Sequence, residues 1–114
     1  MGMAFTNEKL SNVVQVTSGN TSTIATVSSS KKVYIRSIMA YDVNGSAATA
    51  YIYVVPSGQS AATANKMFNI DLNVQETALI EPIYPIVLDT TGDSLVVGAN
   101  AGTVNFLIVG DREA

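Results

Sequence analysis

The stretch that decides the fold is Val33-Tyr34-Ile35-Arg36-Ser37-Ile38-Met39-Ala40-Tyr41-Asp42-Val43-Asn44-Gly45-Ser46-Ala47-Ala48-Thr49-Ala50-Tyr51-Ile52-Tyr53-Val54-Val55. It opens on a period of two, with Val33 and Ile35 on one side and Tyr34 and Arg36 on the other, which is the signature of a β-strand. The phase then slips, because Ile38 and Ala40 also read as core. A β-bulge near Ser37 accounts for the slip, since one extra residue moves every later side chain to the other face. Asn44-Gly45 between two β-rich runs is the strongest local hairpin signal in the chain and predicts a type I′ turn. On the return run Ala50, Ile52 and Val54 share one face, and Tyr51, Tyr53 and Val55 the other.

Outward from this stretch the same grammar recurs every 8–12 residues, which is the spacing of a sandwich or barrel. Toward the N-terminus lie Val13-Val14-Gln15-Val16, a break at Ser18-Gly19-Asn20, and a Thr- and Val-rich run from Thr21 to Val27. Toward the C-terminus, Pro56 to Asn65 is the longest loop. Phe68, Ile70 and Leu72 follow in phase. Pro82 and Pro85 flank two short runs and place them at an edge or a bend. Asp89-Thr90-Thr91-Gly92-Asp93 is a compact turn, and Asn100-Ala101-Gly102 reads as a second hairpin turn. In the last run Val104, Phe106 and Ile108 alternate with Leu107 and Val109, so both faces are apolar, as in a central or covered strand. No segment holds a helical period over ten residues. The expectation is a single antiparallel β-sandwich of about eight strands over residues 13–114, preceded by an N-terminal arm over residues 1–12. Alternation alone does not separate a jelly-roll from an immunoglobulin-like topology.

Composition narrows the function. A chain of 114 residues is one domain, long enough to bury a core without covalent staples. With no Cys it holds no disulfide, thiolate metal site or cysteine nucleophile, which fits assembly in a reducing compartment. With no His it lacks the commonest general base and metal ligand. Charged residues are 13% of the chain, against about 25% in a typical soluble domain, while hydrophobic residues are 47%. A surface so poor in charge points to coverage by another subunit. The net charge of −3 carries no basic stripe, so no nucleic-acid partner is expected. No run approaches the ~18 apolar residues of a membrane helix, and the start lacks the charged and apolar regions of a signal peptide.

The remaining chemistry reads as structure. Ser30-Lys31 are neighbours in a polar loop and lack the burial that would activate a lysine. Glu76 with Glu81, or Asp89 with Asp93, are the candidate carboxylate pairs, and an Asp in a turn ordinarily caps its own backbone. No catalytic residue, metal ligand or cofactor is expected, and the chain is read as a protein that is not an enzyme. The tyrosines leave three readings open: cross-strand packing, a protein interface, or stacking on sugars. Carbohydrate modules usually lean on Trp, and this chain has none. The candidate interface residues are Phe5 on the arm, Tyr34, Tyr51 and Tyr53 on the expected hairpin, and Leu107 and Val109 on the last strand.

Several pieces together carry a family resemblance: Lys31 to Ile38, Asn44 to Ala50 with Tyr51 to Gly58, Gln75-Glu76-Thr77, Pro85 to Leu88, Thr91 to Val97, and Thr103 to Phe106. In this order, over roughly residues 20 to 110, the chain resembles small virion proteins of tailed bacteriophages, of the structural, decoration or tail-associated kind. The resemblance implies a β-sandwich that adheres to a phage particle, often as a cyclic oligomer, and transfers no functional residues. The resulting expectation is a capsid decoration (cement) protein, a homotrimer bound to the major capsid protein at capsomer junctions, found in the virion and assembled in the host cytoplasm. A tail, neck or fibre component and a glycan-binding module are the alternatives.

Overall fold

The structure is a computed structural model that describes residues 5–10 and 12–113, with the backbone alone for residues 5–9. Ten strands follow in chain order: β1 Phe5–Lys9, β2 Val14–Val16, β3 Thr21–Thr26, β4 Val33–Asp42, β5 Ala48–Val55, β6 Lys66–Leu72, β7 Thr77–Ile80, β8 Ile86–Leu88, β9 Ser94–Asn100 and β10 Val104–Glu113. A single 3₁₀ turn, Thr63–Asn65, interrupts the long loop after β5.

Four of the ten are halves of two rows. β1 lies along residues 109–113 of β10 and β2 along residues 104–106, so they form one broken row. β7 lies along residues 38–41 of β4 and β8 along residues 33–35, with Pro82 and Pro85 in the gap between them. A proline cannot donate to a ladder, so the break falls on this outermost row, the edge position that the two prolines predict. The first sheet therefore orders its rows as β1/β2, β10, β4, β7/β8, and the second as β3, β9, β5, β6, all antiparallel. Numbering the eight rows along the chain gives 1-8-3-6 and 2-7-4-5, the order of a jelly-roll. This resolves the two topologies that alternation leaves open. β1 places residues 5–9 of the expected arm alongside the sandwich.

In this order only β5 and β6 form a local hairpin; each other row-to-row connection passes from one sheet to the other. That corrects two turns. Asn44-Gly45 joins β4 in the first sheet to β5 in the second, and neither residue has the positive φ of a type I′ turn. The physical reason is that β4 has no free edge there: Tyr41 is paired with Asn105 on one side and Thr77 on the other. The crossing is fixed instead by Asp42, whose Oδ1 accepts from the Asn44 N–H at 3.0 Å, and by the Val43 N–H donating to the Thr103 carbonyl. Asn100-Ala101-Gly102 likewise crosses from β9 to β10.

The expected bulge is present. Val109 pairs with Ser37 and Gly110 with Ile35, which leaves Arg36 as the extra residue on β4. Its guanidinium reaches back across the pair to Asp111 in a salt bridge. On the inner faces, Ile35, Ile38, Ile52, Leu72, Leu88, Leu95, Phe106 and Ile108 are all fully buried and form one core between the sheets.

Candidate functional site

The six residues singled out from the sequence do not converge on one place. Phe5 has its backbone opposite Glu113, and its side chain lies outside the described residues. Tyr34 is half-buried on β4, between Asp111 of β10 and Val87 of β8. Leu107 and Val109 lie on the outer face of the first sheet. Tyr51 and Tyr53 lie on the outer face of the second. The expected tyrosine ribbon around Asn44-Gly45 therefore does not form, because its two arms belong to different sheets.

On the second sheet the two tyrosine rings are 6.4 Å apart and tilted by 59°. Tyr53 is 9% exposed and packs with Val55 and Val96, with Tyr51 and Ala61 at the margin. Lys66 places its ammonium 4.0 Å from the centre of the Tyr51 ring, a cation–π contact that covers one of its faces. A small cleft of about 120 Å³ beside them is lined by Asn20, Thr21, Asn100 and the two tyrosines. Gly98 lies opposite Tyr51, where a Cβ would be 3.2 Å from Thr21 Cγ2 and 3.6 Å from Tyr51 Cδ2.

The first sheet presents a different surface. Leu107 pairs with Met39, and Met39 with Leu79, so three apolar side chains cross three adjacent strands in one row. The next row is Gln15, Asn105, Tyr41 and Thr77, with Gln15 Nε2 donating to Asn105 Oδ1. Neither row carries a charge. Between them runs an open, almost wholly apolar groove of about 250 Å³ lined by Val13, Met39, Tyr41, Thr77, Asn105, Phe106 and Leu107. Sequence reasoning found Leu107 but missed Met39, Leu79 and Val13. The signal for Met39 was available in the alternation with Ile38 and Ala40. The rows themselves needed the pairing of strands far apart in sequence.

The carboxylates serve the scaffold. Asp93 Oδ2 accepts from the Thr90 N–H and Oδ1 from the Ser57 N–H. The Thr90 contact, ahead of all others, holds the Asp93 carboxyl below its ordinary value by favouring the charged form. Glu76 Oε1 accepts from the Asn73 N–H in its own turn. Glu113 Oε1 accepts from the Lys32 N–H at 2.6 Å. Asp42 is fully buried at the end of β4; its Oδ2 has no hydrogen-bond partner among the described residues. The described residues hold no cluster of three or more His, Cys, Asp or Glu side chains arranged around a metal position. Ser30 hydrogen-bonds Thr91, while Lys31 is exposed.

No protein-family model matches the chain, and no curated protein matches it in sequence. Solved structures do. A chain of the T13 infectious bursal disease virus particle superposes with a TM-score of 0.61 at 11% identity, over 96% of this chain and 31% of the viral one. A chain from the Gx strain of infectious bursal disease virus gives a TM-score of 0.53 at 15% identity, over 97% and 32%. A Bacillus endospore appendage protein, from a family of disulfide-linked pili, gives 0.55 at 14% identity, over all of this chain and 91% of its own. The chain thus spans about a third of the length of the viral chains it resembles and nearly all of the pilus protein. At these identities the likeness is one of fold: this jelly-roll is a fold found in a viral particle and in a bacterial surface fibre.

Proposed function

We propose that the chain is a structural protein of a virus particle. Within that class it is a tailed-phage capsid decoration protein that binds the outer capsid surface, with the major capsid protein and further copies of itself, in a trimer, as partners. The observation that carries this reading is a pair of adjacent uncharged rows on the outer face of the first sheet. An apolar row and an adjacent neutral row leave a groove open on a chain that is otherwise a complete sandwich. A surface of this kind gains free energy when a protein covers it. A decoration protein needs no more than this: burying interface between capsomers adds to the work of separating them, with no chemistry, and so no catalytic role is assigned. The shared fold with a viral particle chain supports the class, and the resemblance of residues 20 to 110 supports the phage. Virion localisation and assembly in the reducing host cytoplasm accord with the absence of Cys.

The test is the copy number in purified particles, measured by quantitative mass spectrometry against the major capsid protein. A ratio near one to one, or one per few capsid subunits, is expected. A ratio of about a dozen per particle moves the protein to the neck or tail, and absence from particles overturns the reading.

A fibre subunit is the second reading, favoured by the match over nearly the full length of the pilus protein. This chain would have to assemble without disulfides. The glycan-binding alternative draws on Tyr51 and Tyr53, but Tyr53 is buried and Lys66 covers one face of Tyr51. It requires a saturable glycan affinity that falls on Tyr51→Ala.

A further inference from the structure

The loop between β7 and β8 exposes Ile83 and Tyr84 at 94% and 83%. These are large apolar or amphipathic side chains, and none of the described residues covers them. Pro82 and Pro85 bracket the pair, which restricts the backbone on both sides and lowers the entropy lost when the loop is held in one place. The result is a stiff apolar knob on the outermost row of the first sheet. The same sheet carries the apolar groove between Val13, Met39, Tyr41 and Leu107. Knob and groove are both uncharged, so copies that each bear a net charge of −3 can meet there without placing like charges in contact.

We infer that Ile83 and Tyr84 of one copy insert into the Met39–Leu107 groove of the next, making a head-to-tail contact between copies of this chain. Such a contact uses two different patches, so each copy donates one knob and accepts one. It propagates around a ring when the rotation closes, and into a fibre when it does not. A closed three-membered ring is the trimer of the proposed decoration protein; an open one is the fibre. The inference rests on that assembly reading only in expecting copies to meet.

The experiment is sedimentation of the full chain over a range of concentrations, with two variants and their mixture. Ile83→Asp removes the knob at an exposed site, and Met39→Lys charges the groove on the outer face. Circular dichroism melts confirm that each variant stays folded; should Met39→Lys melt early, Leu107→Asn takes its place. The wild type is expected to associate beyond a dimer. Each variant alone is expected to weaken association roughly tenfold to a hundredfold, the equivalent of one buried aliphatic side chain. An equimolar mixture of the two has one intact knob and one intact groove per pair, and is expected to form a heterodimer and stop there. Wild-type association by Ile83→Asp, a mixture that stays monomeric, or a wild-type chain that stays monomeric throughout would each overturn the contact. None of those results alters the copy number in particles, so the failure of this contact and the failure of the virion reading are read separately.

Discussion

Gly110→Ala adds one methyl group at the point where β10 passes the bulge in β4. The new Cβ would lie 1.9 Å from the Tyr34 carbonyl oxygen, 3.0 Å from its carbon and 3.1 Å from Ile35 Cα. All three are backbone atoms, so no side chain can swing aside. Ordinary contact begins at 3.4 Å, so the two strands must part by about 1.5 Å. β4 cannot retreat freely, because β8 holds Val33, Tyr34 and Ile35 from the other side. Overpacking alone costs about 1–3 kcal/mol, and each ladder hydrogen bond stretched by the separation adds about 0.5–1.5 kcal/mol. The expected loss is about 3–5 kcal/mol, a large part of the roughly 5–15 kcal/mol of a whole domain. Urea unfolding followed by circular dichroism measures it, with Gly45→Ala as the companion. Gly45 has nothing within 4 Å of a Cβ and no positive φ, so that variant should change stability by less than about 1 kcal/mol in either direction. A Gly110→Ala midpoint close to the wild type would refute the close approach at the bulge. A clearly destabilised Gly45→Ala would restore the type I′ hairpin.

Phe106→Ala empties a fully buried position in the core and should cost about 3–5 kcal/mol, whereas Leu107→Ala, one residue on and facing outward, should cost under about 1.5 kcal/mol; similar urea midpoints for the two would contradict the register of β10. Asp42→Ala leaves the Asn44 N–H without its acceptor and should cost about 1–3 kcal/mol, while Asp42→Asn keeps that acceptor and should cost less; thermal melts of both variants decide. Asp93 has its carboxyl held below the ordinary 3.8, so its contribution is present above that pH and is lost as pH falls through the lower folded value. The stability gap between the wild type and Asp93→Asn should therefore be full at pH 7 and shrink in acid below about pH 3.8. A gap in unfolding midpoint that stays constant across that range would exclude the charge as its source.

What was legible in the sequence is local. Alternation identified the inward faces of β4, β5, β6 and β10, and the slip after Ile35 located the bulge to within one residue. The two prolines marked an edge, and Asp89 to Asp93 read as a turn capped by its own aspartate. What was not legible is which strand pairs with which. β10 takes its neighbours from residues 5–16 at one end of the chain and from β4 in the middle. No turn records such a partner. Asn44-Gly45 misled for the same reason: its local preference for a hairpin is real, but a hairpin also needs an open edge, and β7 and β10 had already closed both edges of β4.

The candidate site followed that error and its correction. Once β4 and β5 belong to different sheets, Tyr51 and Tyr53 part from Leu107 and Val109, and the two outer faces must be compared. The second face is closed by its own side chains. Val55, Val96 and Ala61 pack on Tyr53, Lys66 lies over Tyr51, and Thr49 binds Asp71 at 3.2 Å. A partner arriving there would have to displace contacts already made and desolvate Lys66 and Asp71. The first face offers Leu107, Met39 and Leu79 in a row, Leu79 more than half exposed, and no charge to strip of water in the row beside it. Covering apolar area is worth about 25 cal/mol per Å², and that gain survives only where no polar penalty offsets it. The difference between the faces makes the first sheet, through Leu107 and its neighbours rather than through the tyrosines, the better surface for the proposed interface.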